Sequence, residues 1–124
     1  MSRRVLIVED EQNISASVDF LMRRCGYETR IAADGPTALR LLEDAAPDLV
    51  LLDLMLPGCS GIDVCRFIRG DARFAATRVL MLTANGSPEH AEASRAAGAD
   101  DYILKPFGTR ELLKRARELL GDPA

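Results

Sequence analysis

The sequence predicts an open parallel α/β sheet with helices on both faces. Five short runs rich in Val, Ile and Leu, at 4–8, 28–32, 49–52, 78–82 and 102–104, alternate with five segments of helical period. That rhythm is the mark of repeated βα units. The run Leu49-Val50-Leu51-Leu52 has no polar alternation, as expected of a strand covered on both faces. Right-handed crossovers stack the helices on the two sides, and such sheets place their sites at the carboxyl ends of the strands.

Each helix has its own signature. Ile14, Val18, Leu21, Met22 and Cys25 fall on one helical face, and Gly26 follows as a stop. The second helix opens at Gly35-Pro36, where Pro suits the first helical position. It turns Ala38, Leu41, Leu42 and Ala45 inward and ends before Pro47. The third follows Gly61, carries Ile62, Cys65 and Ile68 on one face and stops near Gly70. The fourth, 88–97, offers only Ala91, Ala93, Ala96 and Ala97 as inward candidates. Each buries far less apolar area than a Leu or Ile, so this helix is expected to be the most loosely anchored. The fifth sets Leu112, Leu113, Ala116, Leu119 and Leu120 on one stripe, with Arg110, Lys114, Arg115 and Arg117 mostly outside it.

At 124 residues the chain is expected to form one domain over 1–124, with no output domain. A hydrophobic content of 48% argues against disorder. Sixteen Lys and Arg against nineteen Asp and Glu give a net charge of −3, a poor footing for nucleic acid, and no direct nucleic-acid binding is expected. Cys25, Cys59 and Cys65 with one histidine, His90, offer neither a disulfide framework nor a zinc pattern. Cys25 and Cys65 are expected to pack as small hydrophobes, and Cys59 to be a surface thiol. The run Val5-Leu6-Ile7-Val8 is too short, and too soon broken by Glu9-Asp10-Glu11, for a signal peptide or membrane span. A cytoplasmic protein without membrane attachment is the expectation.

The residues that follow the apolar runs carry the chemistry. They are Glu9 and Asp10 after the first strand, Asp53 after the third, Thr83 after the fourth and Lys105 after the fifth. Clustered carboxylates repel one another and are usually sustained by a cation or an ammonium. A few hard oxygen ligands suit Mg²⁺, which keeps waters or phosphate oxygens in its other positions. With that charge offset, one carboxylate can attack a phosphoryl group in line and become an acyl phosphate. Asp53, on the central strand, is best placed to do so. Lys105 would neutralise a phosphoryl oxygen, Thr83 would donate a hydrogen bond to another, and Ala84 leaves room for the group to enter. Taken singly, Asp10 would serve equally as the N-cap of the first helix, Asp53 as a turn residue, Thr83 as a strand-end hydroxyl and Lys105 as a solvated charge. Four such accidents at the ends of four strands of one sheet are far less probable than one site.

At these residues the sequence resembles a two-component response-regulator receiver domain over essentially its whole length. The resemblance is carried by Val5-Leu6-Ile7-Val8-Glu9-Asp10-Glu11, Leu51-Leu52-Asp53-Leu54-Met55-Leu56-Pro57-Gly58, Met81-Leu82-Thr83-Ala84 and the segment from Gly98 to Phe107. It implies a flavodoxin-like (βα)₅ three-layer sandwich with strand order 2-1-3-4-5. It also implies that Asp53 accepts a phosphoryl group from a histidine kinase or phosphotransfer protein. Mg²⁺ would be held by Asp10, Asp53 and the backbone carbonyl of Met55, with Glu9 acting through water. The implied Lys105–Pro106 peptide is cis. The implied switch draws Thr83 toward the phosphoryl group and turns Tyr102 inward, changing the face made by helix 4, strand 5 and helix 5 for a downstream effector protein. Amide exchange is then expected to change most in residues 83–108.

Where the chain departs from the family pattern, it adjusts these expectations. Met55 cannot orient a hydrolytic water as an amide or carboxylate would, whereas Asn85, two residues after Thr83, can. Slow to moderate loss of phosphate is expected. Asp100, Asp101, Arg115 and Arg117 suit a phosphorylation-dependent homodimer, but helix 4 offers only Arg95 as a basic residue. A haloacid-dehalogenase phosphatase would want a second Asp where Met55 stands. A flavodoxin would want a Ser, Thr and Gly-rich loop where Glu9-Asp10-Glu11 stands. The alternative kept open is a phosphorylation-independent pseudo-receiver that serves only as an interaction module.

Overall fold

The computed structural model describes residues 3–84 and 86–122. The elements run β1 (Arg4–Val8), α1 (Gln12–Arg24), β2 (Glu28–Ala32), α2 (Gly35–Asp44), β3 (Leu49–Asp53), α3 (Gly61–Arg69), β4 (Arg78–Thr83), α4 (Pro88–Ala96), β5 (Asp101–Leu104) and α5 (Thr109–Leu120), with a 3₁₀ turn at Ala72–Phe74. All strand pairs are parallel, and the order β2-β1-β3-β4-β5 is the flavodoxin-like one. The strands match the sequence expectation to within one residue at either end.

Side-chain alternation on the central strands divides the core in two. Leu6, Val8, Val50, Leu52, Val79 and Met81 face α2 and α3 and meet Ala38, Leu42, Val64, Cys65 and Ile68. Val5, Ile7, Leu49, Leu51, Leu80 and Leu82 face α1 and α5 and meet Val18, Met22, Leu112 and Ala116. Every residue of β3 is buried, including Asp53. The uninterrupted apolar run is therefore a strand covered on both faces. The edge strand β2 is mostly exposed and carries charge, with Arg30 paired to Asp44 at 2.8 Å, which blunts an otherwise open edge.

Two expectations need correction, and one alternative reading falls away. Ala93 and Ala96 of α4 are exposed; the buried residues are Ser94 and, just past the helix, Ala97. A helix without large apolar residues gives no periodic signal that fixes its phase. Asp10 does not cap α1: the N-cap is Glu11, with no side-chain hydrogen bond. Cys59 is half-buried and packs against the α2–α3 side of the core. A Cβ on Gly35 would lie only 1.9 Å from its Sγ, so glycine at the start of α2 makes room for that thiol. Cys65 is buried, as expected, and Cys25 is half-buried.

Candidate functional site

Backbone hydrogen bonds that continue past the strand ends hold the site together. Glu9 N–H donates to Ala32 O at 3.0 Å, Leu54 N–H to Leu82 O at 2.9 Å, and Lys105 N–H to Thr83 O at 2.8 Å. Residues just after β1, β3 and β5 are thereby fixed on neighbouring strands, which limits how far their side chains can separate. Behind them, α3 starts close against β3: a Cβ on Gly61 would fall 2.2 Å from Asp53 O, so only glycine permits the approach. Ser60 and Asp63 close a reciprocal capping box at this end of α3.

Glu9, Asp53 and Lys105 converge. The Lys105 ammonium lies 2.5 Å from Glu9 Oε1 and 3.4 Å from Asp53 Oδ2. Glu9 is 1% exposed and Asp53 6%, so both carboxylates are in poor solvent contact. Glu9 Oε2 accepts from Glu11 N–H at 3.1 Å, and Asp53 Oδ1 from Met55 N–H at 3.3 Å. Glu9 Oε1 has the ammonium's charge beside it but no directional hydrogen bond. One lysine therefore serves two buried carboxylates, and the cluster keeps an excess of negative charge.

That excess shows in the titration of the groups. Burial, and then the negative charge of Glu9, push the Asp53 carboxyl up to about 6, against the pull of Lys105 and the Met55 N–H. For Lys105, burial favours the neutral amine, but the contacts with Glu9 and Asp53 together outweigh it and hold the ammonium above its ordinary value. Asp53 is thus ionised at neutral pH yet poised to lose its charge in mild acid.

Asp10 is exposed at the rim. Carboxylate oxygens of Glu9, Asp10 and Asp53 all lie within 4.8 Å of one another. Three hard oxygen donors at this spacing, one of them without a directional partner, fit a small divalent cation such as Mg²⁺. Thr83 is buried at the end of β4, and Ala84 beyond it is exposed. Tyr102 is half-buried on β5, paired in register with Met81, and packs against the α2–α3 side of the core. The Lys105–Pro106 peptide is cis. Asn85 lies outside the described residues.

The charges expected to serve a dimer are already engaged within the chain. Arg115 pairs with Asp101 at 3.0 Å and donates to Tyr102 O at 2.8 Å. Asp100 accepts from Arg69 at 2.7 Å, and Arg117 reaches Cys25 Sγ at 3.5 Å. Sequence reasoning missed the Arg69 clamp, which also donates to Gly98 O at 2.8 Å. The only signal for it was an arginine at the last position of a helix, which is more often solvated. Among the described residues no helix is long and apolar enough to cross a membrane.

A parallel α/β domain with acidic groups, a hydroxyl and a lysine on its carboxyl rim has the donor set that a phosphoryl group or a hard cation would need. Comparison with known proteins makes this specific. The model of the response regulator receiver domain matches residues 5–117. The chain is 45% identical over 116 residues to the sensory transduction protein RegX3 of Mycolicibacterium smegmatis, covering 94% of this chain and 50% of that one. It is 42% identical over 120 residues to the DNA-binding response regulator MtrA of Mycolicibacterium paratuberculosis, covering 97% and 52%. The fold superimposes on a response regulator structure from Chloroflexus aurantiacus with TM-score 0.92 and 35% identity, over 98% and 99% of the two chains. It also matches the receiver domain of the sensor histidine kinase PA1611 from Pseudomonas aeruginosa, which has magnesium coordinated in its active-site cleft. There the TM-score is 0.89, with 30% identity over 98% and 100% of the chains.

The chain belongs to the response regulator receiver domain family, the signalling domains of two-component systems. It spans about half the length of the curated relatives it matches.

Proposed function

We propose that this domain is a phosphoacceptor switch in which Asp53 receives a phosphoryl group from a histidine kinase or phosphotransfer protein. The observation that carries this reading is the buried set of Glu9, Asp53 and Lys105, in which one ammonium contacts both carboxylates. A purely structural cluster would gain nothing from a second buried carboxylate that lacks full compensation, because that charge is costly to the fold. An acceptor site needs it. Asp53 must be ionised to attack, and it must sit where positive charge gathers around the incoming phosphoryl oxygens.

In the transfer, an Asp53 carboxylate oxygen forms the new bond to phosphorus as the bond to the donor nitrogen breaks in line. Lys105 shifts its ammonium from the carboxylate to a phosphoryl oxygen, and the Thr83 hydroxyl donates to another. Asp10, Asp53 and the Met55 carbonyl would hold Mg²⁺, with Glu9 acting through water. When bound, the metal supplies positive charge against the transferring oxygens. The same residues give the domain its own self-phosphorylation chemistry with small donors and its own slow to moderate dephosphorylation. Drawing Thr83 inward alters the backbone leading into α4, and Tyr102 turns inward on β5 to change the α4-β5-α5 face. A downstream effector protein reads that face. Whatever lies outside residues 1–124 in a longer regulator, the receiver folds around one sheet with a core layer on each face and acts as one domain.

The test is intact mass after incubation with Mg²⁺ and acetyl phosphate. A single phosphoryl adduct that requires Mg²⁺ and is absent in Asp53→Asn supports the reading. A folded wild-type protein that takes up no adduct turns it toward a phosphorylation-independent interaction module.

A further inference from the structure

Met22 and Met81 are fully buried, whereas Met55 is 72% exposed. Its backbone N–H donates to Asp53 Oδ1 at 3.3 Å, so the residue bearing this accessible thioether is fixed beside the acceptor carboxylate. Peroxides oxidise methionine to the sulfoxide, which turns a flexible apolar side chain into a polar one. We propose that Met55 is an oxidation site whose sulfoxide shortens the lifetime of the aspartyl phosphate on Asp53. The inference rests on the reading of Asp53 as the phosphoacceptor.

The oxidation balances simply. Hydrogen peroxide, or an alkyl hydroperoxide, transfers one oxygen to the thioether sulfur. The S–O bond forms as the peroxide O–O bond breaks, sulfur gives up two electrons, and the peroxide leaves as water or an alcohol. The product places an oxygen acceptor as many bonds from Cα as the amide oxygen of glutamine, with a methyl group where glutamine has its NH₂. An apolar side chain that offers water only a weak acceptor becomes a glutamine-length acceptor on the rim of the site.

Loss of phosphate needs a water in line with the bond from phosphorus to Asp53. The new P–O bond forms to that water, the P–O bond to Asp53 breaks, the electron pair returns to the carboxylate, and both water protons leave with dihydrogen phosphate. A sulfoxide oxygen that accepts one hydrogen of the water orients its lone pair without itself taking a proton. Cys59 and Cys65 are poorer targets for the same oxidant. Burial pushes Cys65 up to about 11 and raises the Cys59 thiol, so little reactive thiolate is present at neutral pH.

The experiment treats the full chain with hydrogen peroxide, removes the excess with catalase, and maps the added oxygen by peptide mass. Phosphorylation with acetyl phosphate and Mg²⁺ follows, and the decay of the adduct is read by intact mass once donor is removed. The expected results are a gain of about 16 Da on the Met55 peptide and an adduct half-life at least about threefold shorter than in untreated protein. Methionine sulfoxide reductase should restore the longer half-life, and Met55→Gln should decay like the oxidised protein. In Met55→Leu the half-life should be the same before and after peroxide. Oxidation at Met55 with an unchanged half-life overturns the inference, as does an equal response in Met55→Leu or oxygen found only on the cysteines. If the untreated protein takes up no adduct, the acceptor reading itself has failed.

Discussion

Helices α3 and α4 are nine residues each and lie on either side of β4 in sequence, yet they are held very differently. Helix α3 buries Gly61, Val64, Cys65 and Ile68, starts with a capping box and packs against the backbone of Asp53. Helix α4 buries only Ser94 along its length. Its C-terminal end is tied back to α3 through Cys65 Sγ to Ala97 O at 3.4 Å and Arg69 to Gly98 O at 2.8 Å. Its N-terminal end follows the Thr83 rim and is capped by Ser87, whose hydroxyl accepts from His90 N–H. Burying a Val or Ile side chain contributes about 1.5–3 kcal/mol, far more than an alanine methyl. Asp53 therefore has a rigid wall behind it and a weakly held helix ahead of it. On the proposed switch, a displacement at Thr83 would meet least resistance in α4 and would be stopped at its clamped far end.

The largest expected effect separates the two helices by truncation. Ile68→Ala in α3 should cost about 2–5 kcal/mol of unfolding free energy, and Ser94→Ala in α4 about 1 kcal/mol or less. Denaturant melts that gave equal losses would break the comparison. Next comes Asp53 itself. The folded protein raises the Asp53 carboxyl to about 6 from an ordinary 3.8, so it binds that proton more tightly than the unfolded chain. Stability from this group falls as pH rises from about 4 to about 6 and is level above. Without metal, Asp53→Asn should stabilise the fold by about 1–3 kcal/mol at pH 7, and the gain should vanish below about pH 4.

The same proton competes with a divalent cation. Mg²⁺ affinity, followed by titration calorimetry, should be steady above about pH 6 and fall by up to about tenfold per unit below it. An affinity indifferent to pH between 5 and 7 would remove Asp53 from the ligand set. The smallest effect concerns the rim. Met55→Asn, which supplies a short amide acceptor, should speed loss of phosphate by a few-fold, roughly 1 kcal/mol or less in the barrier. An unchanged decay rate would count against any role for that side chain in placing water.

What the sequence made legible follows the same division. The central strands could be read from Leu49-Val50-Leu51-Leu52 because an unbroken apolar run has few other uses. The rim residues could be read from their position just after such runs. Helix α4 was legible in its place, 88–97 against Pro88–Ala96, and in its weakness. Its phase was not, since four alanines give no moment to follow, and Ala93 and Ala96 turn outward. The 3₁₀ turn at Ala72–Phe74, with Phe74 1% exposed, escaped notice because a single buried aromatic between helix and strand has no period. The fit of Cys59 against Gly35, the Arg69 clamp and the contact of Lys105 with Glu9 all join residues far apart in the chain, and spacing alone does not disclose such contacts.

The most direct test of the account is amide hydrogen exchange with and without acetyl phosphate in the presence of Mg²⁺, with Asp53→Asn as the control. The account predicts that phosphorylation changes exchange mainly within residues 83–108, leaves α3 as protected as before, and does neither in the Asp53→Asn protein. Changes concentrated in α1 to α3, or the same changes in Asp53→Asn, would contradict it.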